Sequence, residues 1–238
     1  MIRAFPAVLG RSSRLVPWWH LAFGLVAAFG LAATRRTTYL DDVVFGLRVG
    51  AVALVASTAF VFDDPALNLM DGKPVPLWLQ RSARLTLVLP AIVAGWWLLL
   101  AWMEAGLHSS AETAGLTVPR LALSIEVTAL LGIVWAAATL MLRAGRETGG
   151  MVAATALLAI VVGLILLPER WTWFASPAAP PVPGEGSSPQ WQAWVDAHRR
   201  WAALAVAGWA AVVVGVRGPA SSRRVRWPRP ALNQSERE

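Results

Sequence analysis

Apolar residues gather into six nearly unbroken runs along this chain, at 16–33, 44–62, 85–103, 119–142, 151–167 and 201–216. Between them the sequence turns to Arg, Asp, Pro, Gly and Ser. Runs that are apolar on every side fit neither a half-buried strand, which alternates, nor a surface helix, which carries one apolar stripe. About twenty apolar residues cross a bilayer as a helix, because backbone amides in hydrocarbon find no water and must bond within the segment. The pattern predicts an all-α, polytopic membrane protein with six transmembrane helices. The last two runs are short, since sixteen residues rise only about 24 Å. Flanking residues or a thinner local bilayer must complete those crossings.

Composition agrees: 56% of the residues are hydrophobic and 15% charged, too apolar for a soluble chain of 238 residues. The longest stretch outside the runs, 168–200, is too short for a separate domain. One membrane domain is expected at 16–216, with a leader at 1–15 and a basic tail at 217–238. The absence of cysteine excludes disulfides, thiol redox chemistry and thiolate metal sites. A net charge of +7 would suit a nucleic-acid partner, but the charges flank the runs, so none is expected. With the N-terminus inside, the segments 1–15, 63–84, 143–150 and 217–238 hold fourteen Lys/Arg, against six on the outer side. This bias predicts both termini cytoplasmic. Arg35 and Arg36, on the first outer loop, run against it. A cleaved signal peptide is the rival reading of the N-terminus. The first run is longer than a usual signal core and ends in Leu31-Ala32-Ala33 without a clean A-x-A, so retention is expected.

Small residues at intervals of four mark expected helix contacts: Gly24, Ala28 and Ala32; Gly46 and Gly50; Ser124, Thr128, Gly132 and Ala136; Thr155, Ala159 and Gly163. Pro90 should bend the third helix. Trp18, Trp19 and Trp78 fall at inner boundaries, and Trp102, Trp171, Trp173, Trp191, Trp194 and Trp201 at outer ones, as an interfacial belt does. Trp96, Trp97, Trp135 and Trp209 lie deeper and are expected to pack between helices, with lipid contact or a substrate path as alternatives.

Two ionisable residues interrupt the runs. Arg48 and Glu126 lie at similar depth from the outer face. Either alone at the bilayer centre costs about 2.5–3.5 kcal/mol or more. They can form an intramembrane ion pair that lines or couples a pathway. Otherwise Arg48 reaches outward to the interface while Glu126 bonds a neighbouring helix. His20, His108 and His198 are scattered over different segments and offer no haem-type pair. There is no HExxH, no GxSxG and no P-loop. The stretch DDPALNLMDG departs from the aspartate motif of membrane phosphatidyltransferases at Asn68. No catalytic residue, metal ligand or resident cofactor is expected in this chain.

Two loops stand out. In the inner segment 63–84, Asp64 caps Pro65 and Asp71-Gly72 stops the turn, which predicts a short helix over 65–70. It is either a capped surface turn or a docking element. Pro74 and Pro76 then extend the chain, and Arg81 and Arg84 reach lipid headgroups. In the outer segment 168–200, a Pro/Gly/Ser-rich centre precedes a helix opening at Pro189. Its apolar face carries Trp191, Trp194, Val195, His198 and Trp201. The expectation is an anchor or lid lying in the outer interface, followed by a turn into the sixth span.

This layout resembles the permease subunits of six-helix ABC exporters: six spans, both ends inside, a basic amphipathic leader, a short capped inner helix and an outer helix before the last span. The strings FDDPALNLMDGKPVPLWLQRSARL and WQAWVDAHRRWAALA are similar to uncharacterised actinobacterial members of that class. The resemblance implies a permease in a bacterial cell membrane that exports a hydrophobic or amphiphilic compound. Asp63, Asp64, Pro65, Leu67, Leu69, Asp71 and Gly72 would form a coupling loop docking on a separate cytoplasmic ATPase subunit, which holds ATP and Mg. A second permease subunit, identical or different, would complete the unit. Trp191, Trp194, His198 and Trp201 would belong to an outer gate helix. The chain departs from that class in its short sixth span and its Pro/Gly-rich outer insert. A non-catalytic scaffold or accessory subunit, and less readily a membrane lipid enzyme, remain the alternatives.

Overall fold

The computed structural model describes residues 13, 16–62, 77–107, 117–143, 149–166 and 189–217. Among them there are six α-helices and no strand: α1 (Trp18–Ala33), α2 (Leu40–Thr58), α3 (Leu77–Leu107), α4 (Arg120–Arg143), α5 (Gly149–Leu166) and α6 (Pro189–Arg217). A 3-10 turn, Ala59–Phe62, prolongs α2. Four helices are long and apolar enough to cross a membrane: α2 with its turn, α3, α4 and α6. Helices α1 and α5 are shorter and apolar. The expected 65–70 helix, the leader apart from Ser13, the Pro/Gly-rich outer stretch and the tail apart from Arg217 lie outside the described residues.

Local chemistry sets where helices begin. Helix α2 starts four residues before its apolar run because Asp41 and Asp42 occupy its first turn, where the helix dipole favours anions. Thr37 Oγ1 donates to Asp42 Oδ2 at 3.2 Å, and Arg35 lies 3.6 Å from the same carboxylate. Helix α3 runs through Pro90 as one 31-residue helix, so the proline does not break it.

The largest departure from the sequence expectation is α6. The interfacial helix and the sixth span are one continuous helix of 29 residues. No Pro follows Pro189 in this stretch, so nothing in the backbone forces the expected turn at residue 200. The face bearing Trp194 and His198 is turned onto the bundle, with His198 buried.

Helix directions alternate from α1 to α4. A Cβ added to Gly50 would meet the Ala28 carbonyl at 3.0 Å, and one on Gly46 the Ala32 carbonyl at 3.3 Å, so α1 and α2 pack antiparallel along the two expected small-residue stripes. The same two glycines also meet Leu99 and Met103, which sets α3 antiparallel to α2. Helices α4 and α6 run parallel and form the most extensive pair. Glu126 faces His198, Gly132 faces Gly208, and Thr139 faces Gly215. Helix α5 begins beside Ala138, near the end of α4. The start of α1 and the end of α6 therefore lie at one end of the bundle.

The core centres on α2. In its apolar window 72% of residues are buried inside the protein, against 22% for α6. Trp135 is fully buried and donates from Nε1 to Thr58 Oγ1 at 2.8 Å, while its ring meets Phe62 and Trp209 edge-on. Trp96 donates to Ser124 Oγ at 3.1 Å, and Trp209 to the Thr128 carbonyl at 3.2 Å. Three of the deep tryptophans thus pack between helices with their N–H groups bonded, as buried indoles require. Trp97 instead points outward, 49% exposed. The expected contact stripe on α5 is also misplaced. Thr155 and Ala159 are exposed, and the helix buries Ala153, Ala154 and Leu157.

Candidate functional site

Successive residues of a helix turn by about 100°. Gly46 and Gly50 therefore share one face of α2, and Arg48, midway between them, points to nearly the opposite side. The glycine face admits α1 and α3; the other brings Arg48 to α4. There its guanidinium grips Glu126 with two parallel bonds, Nε to Oε2 at 2.9 Å and Nη2 to Oε1 at 2.7 Å. A forked arginine–carboxylate pair is the strongest ion-pair geometry available to side chains. Glu126 is only 5% exposed and Arg48 is half-buried, so of the two sequence readings the structure has the pairing.

A third group completes the site. His198 Nε2 lies 3.2 Å from Glu126 Oε1, and His198 itself is 8% exposed. Its Nδ1 lies 2.8 Å from the carbonyl of Trp194, one turn earlier in α6. The Trp194 ring lies over the imidazole with centroids 4.1 Å apart, and Trp191 stacks on Trp194 at 5.7 Å. Three of the four residues named for an outer gate, Trp191, Trp194 and His198, thus form one stack that reaches Glu126 through His198. Trp201, the fourth, is half-buried farther along the same helix.

The site joins α2, α4 and α6, helices distant in sequence. An ion pair largely buried in an apolar bundle contributes little net stability, because desolvating two charges cancels most of their attraction. Its strength lies in specificity: α2 and α4 can meet in only one register while the fork is made.

A second pair lies toward the start of α4. Arg120 donates from Nε to Glu104 Oε2 at 3.1 Å, with Nη2 on the same oxygen. Sequence reasoning missed it because Glu104 falls just outside one apolar run and Arg120 is only the second residue of another. It also missed the union of His198 with Glu126. The available signal was a lone imidazole on an otherwise apolar face. The expected coupling residues Asp63, Asp64, Pro65, Leu67, Leu69, Asp71 and Gly72 lie outside the described residues. Among the described residues, no three His, Asp or Glu side chains gather in a way that could hold a metal ion. No protein-family model, curated protein or solved structure matches the chain.

Proposed function

We propose that this chain is a permease subunit of an ABC transporter in a bacterial cell membrane, moving a hydrophobic or amphiphilic compound. A separate ATPase chain docks on the 63–84 loop and supplies the energy, and a second permease completes the unit. Six crossings with both termini cytoplasmic belong to this reading, which the alternating helix directions support. The observation that carries it is the buried Arg48–Glu126–His198 cluster. Ionisable groups inside a membrane bundle mark pathways and moving parts more often than inert packing. This cluster joins the most buried helix, α2, to the least buried of the four long ones, α6. A transporter needs such a joint between a fixed core and a helix free to shift.

The test is purification of the full chain in mild detergent. A nucleotide-hydrolysing subunit should co-purify, and replacing Asp63, Asp64 and Asp71 together by Lys should cut its recovery at least about tenfold, the equivalent of about 1.4 kcal/mol. Recovery of other membrane proteins without any ATPase would replace this reading with that of an accessory subunit. Undiminished ATPase binding by the triple variant would remove the coupling loop from it.

A further inference from the structure

Two contacts fix the protons of His198. Its Nδ1 lies 2.8 Å from the Trp194 carbonyl oxygen. A carbonyl only accepts, so Nδ1 carries a hydrogen, and in a neutral imidazole the other nitrogen is then a bare lone pair. Yet that nitrogen, Nε2, lies 3.2 Å from Glu126 Oε1, and an ionised carboxylate also only accepts. Two lone pairs facing each other in a site this buried repel. The contact is a hydrogen bond only if one proton lies between the two atoms, whichever of them holds it. We propose that the Glu126–His198 couple is a binding site for a single proton, and that this proton latches α6 to α4.

Among the described residues the charged surroundings are few. From α2, Arg48 donates to both carboxylate oxygens of Glu126. From α3, Glu104 stands at the same end of the bundle and is held by Arg120. On α6 itself, Asp196 pairs with Arg199 at 3.4 Å, and Arg199 and Arg200 are exposed. Helix α5 carries no ionisable residue at all. With the proton bound, the cluster has a net charge of +1 and keeps the interhelical bond. Without it, the cluster is neutral and the bond is lost. Burial favours the neutral state and the bond favours the loaded one. That opposition makes the site switchable.

A pivot lies farther along the same helix pair. A Cβ on Gly208 would meet the Gly132 carbonyl carbon at 2.8 Å and the Ile133 nitrogen at 3.0 Å, a backbone-to-backbone crossing. It lies ten residues, or about 15 Å, beyond His198. Release at His198 leaves α6 held at Gly208, so the first half of the helix swings while the second half stays. The latched state binds one more proton than the released state. By linkage it is favoured at low pH and lost as pH rises. The latch does not depend on whether an ATPase docks.

The chain has no cysteine, so introduced pairs report cleanly. Spin labels at Leu121 and Gln192, both exposed, span the latch end of α4 and α6. Labels at Leu140 and Val214, also exposed, span the far side of the pivot. The full chain in phospholipid vesicles is scanned from about pH 5 to about pH 9, the range that brackets histidine chemistry. The expected result is a short Leu121–Gln192 distance at acid pH and a longer component that grows with pH. Its ratio to the short one should change by no more than about tenfold per pH unit, the slope of one proton. The Leu140–Val214 distance should stay fixed. His198→Gln, whose amide can donate to Glu126 without titrating, should stay short throughout. A pH-invariant Leu121–Gln192 distance in the otherwise unsubstituted chain would overturn the proposal, as would an intact pH response in His198→Gln. If that variant does not fold, nitrogen-15 spectra of the histidines decide. Loss of the Nε2 proton as the helices part supports the latch, and a tautomer bare at Nδ1 overturns it.

Discussion

Helix α4 carries two arginine–glutamate pairs only six residues, about 9 Å, apart. They share their chemistry and differ in surroundings. In one, the Arg48 side chain is 28% exposed and Glu126 has a second partner in His198. In the other, the Arg120 side chain is 54% exposed, and Glu104 takes both of its bonds on one oxygen. The first arginine is a structural member of the bundle. The second covers a buried carboxylate from the solvent or headgroup side, as a long cationic side chain can. What separates them is whether the arginine, once its partner is gone, can reach water.

The sharpest way to break this comparison is Arg48→Met. It leaves Glu126 buried with only His198 to offset its charge, and truncating one side of a buried pair costs about 3–5 kcal/mol. The unfolding midpoint in detergent should fall steeply. Combining Arg48→Met with Glu126→Leu should recover most of the loss, because an apolar pair of similar volume avoids both desolvation costs. If the single variant is as stable as the original chain, the cluster is not a joint of the fold.

A smaller effect separates charge from close approach as the agent that holds α6. In Gly208→Val the new side chain would press on backbone atoms of Gly132 and Ile133, which cannot rotate away. Overpacking of this kind costs about 1–3 kcal/mol. Thermal unfolding should show the loss while the pH response of the Leu121–Gln192 distance persists, since the latch residues are untouched. Loss of the response without loss of stability would move the pivot elsewhere.

The sequence made some of this legible and hid the rest for physical reasons. The helices and the possibility of an Arg48–Glu126 pair could be read because run length and depth along a helix are both linear in residue number. The α1–α2 stripe could be read because Gly24, Ala28, Ala32, Gly46 and Gly50 repeat at the helical interval. His198 was hidden by an expected turn at residue 200. A continuous α6 carries it along the helix to the level of Glu126, instead of leaving it flat in the interface. Gly208 was hidden because a backbone crossing needs one small residue on each helix, and one glycine makes no pattern. The stripe on α5 misled because Thr, Ala and Gly recur by composition in an alanine-rich chain as well as by contact.

The smallest expected effect is at the Glu104–Arg120 pair, and it tests whether exposure is the deciding variable. Glu104→Gln removes the negative charge but keeps an oxygen that can accept from Arg120. The freed guanidinium, already more than half exposed, turns outward and is solvated. Ion pairs with one partner in solvent contribute about 0–1 kcal/mol, so the unfolding midpoint should move little. The residue that stays behind is a neutral amide, whose burial costs far less than the carboxylate that Arg48→Met leaves with His198 alone. Arg120→Gln is the more demanding partner experiment, because it strands Glu104, which is 7% exposed. It should cost more than Glu104→Gln and less than Arg48→Met, since Glu104 sits near the helix end, within reach of water. That order, read from three unfolding curves under one condition, makes depth in the bundle the quantity that separates the two pairs. Equal losses from all three substitutions would assign the difference to something other than burial.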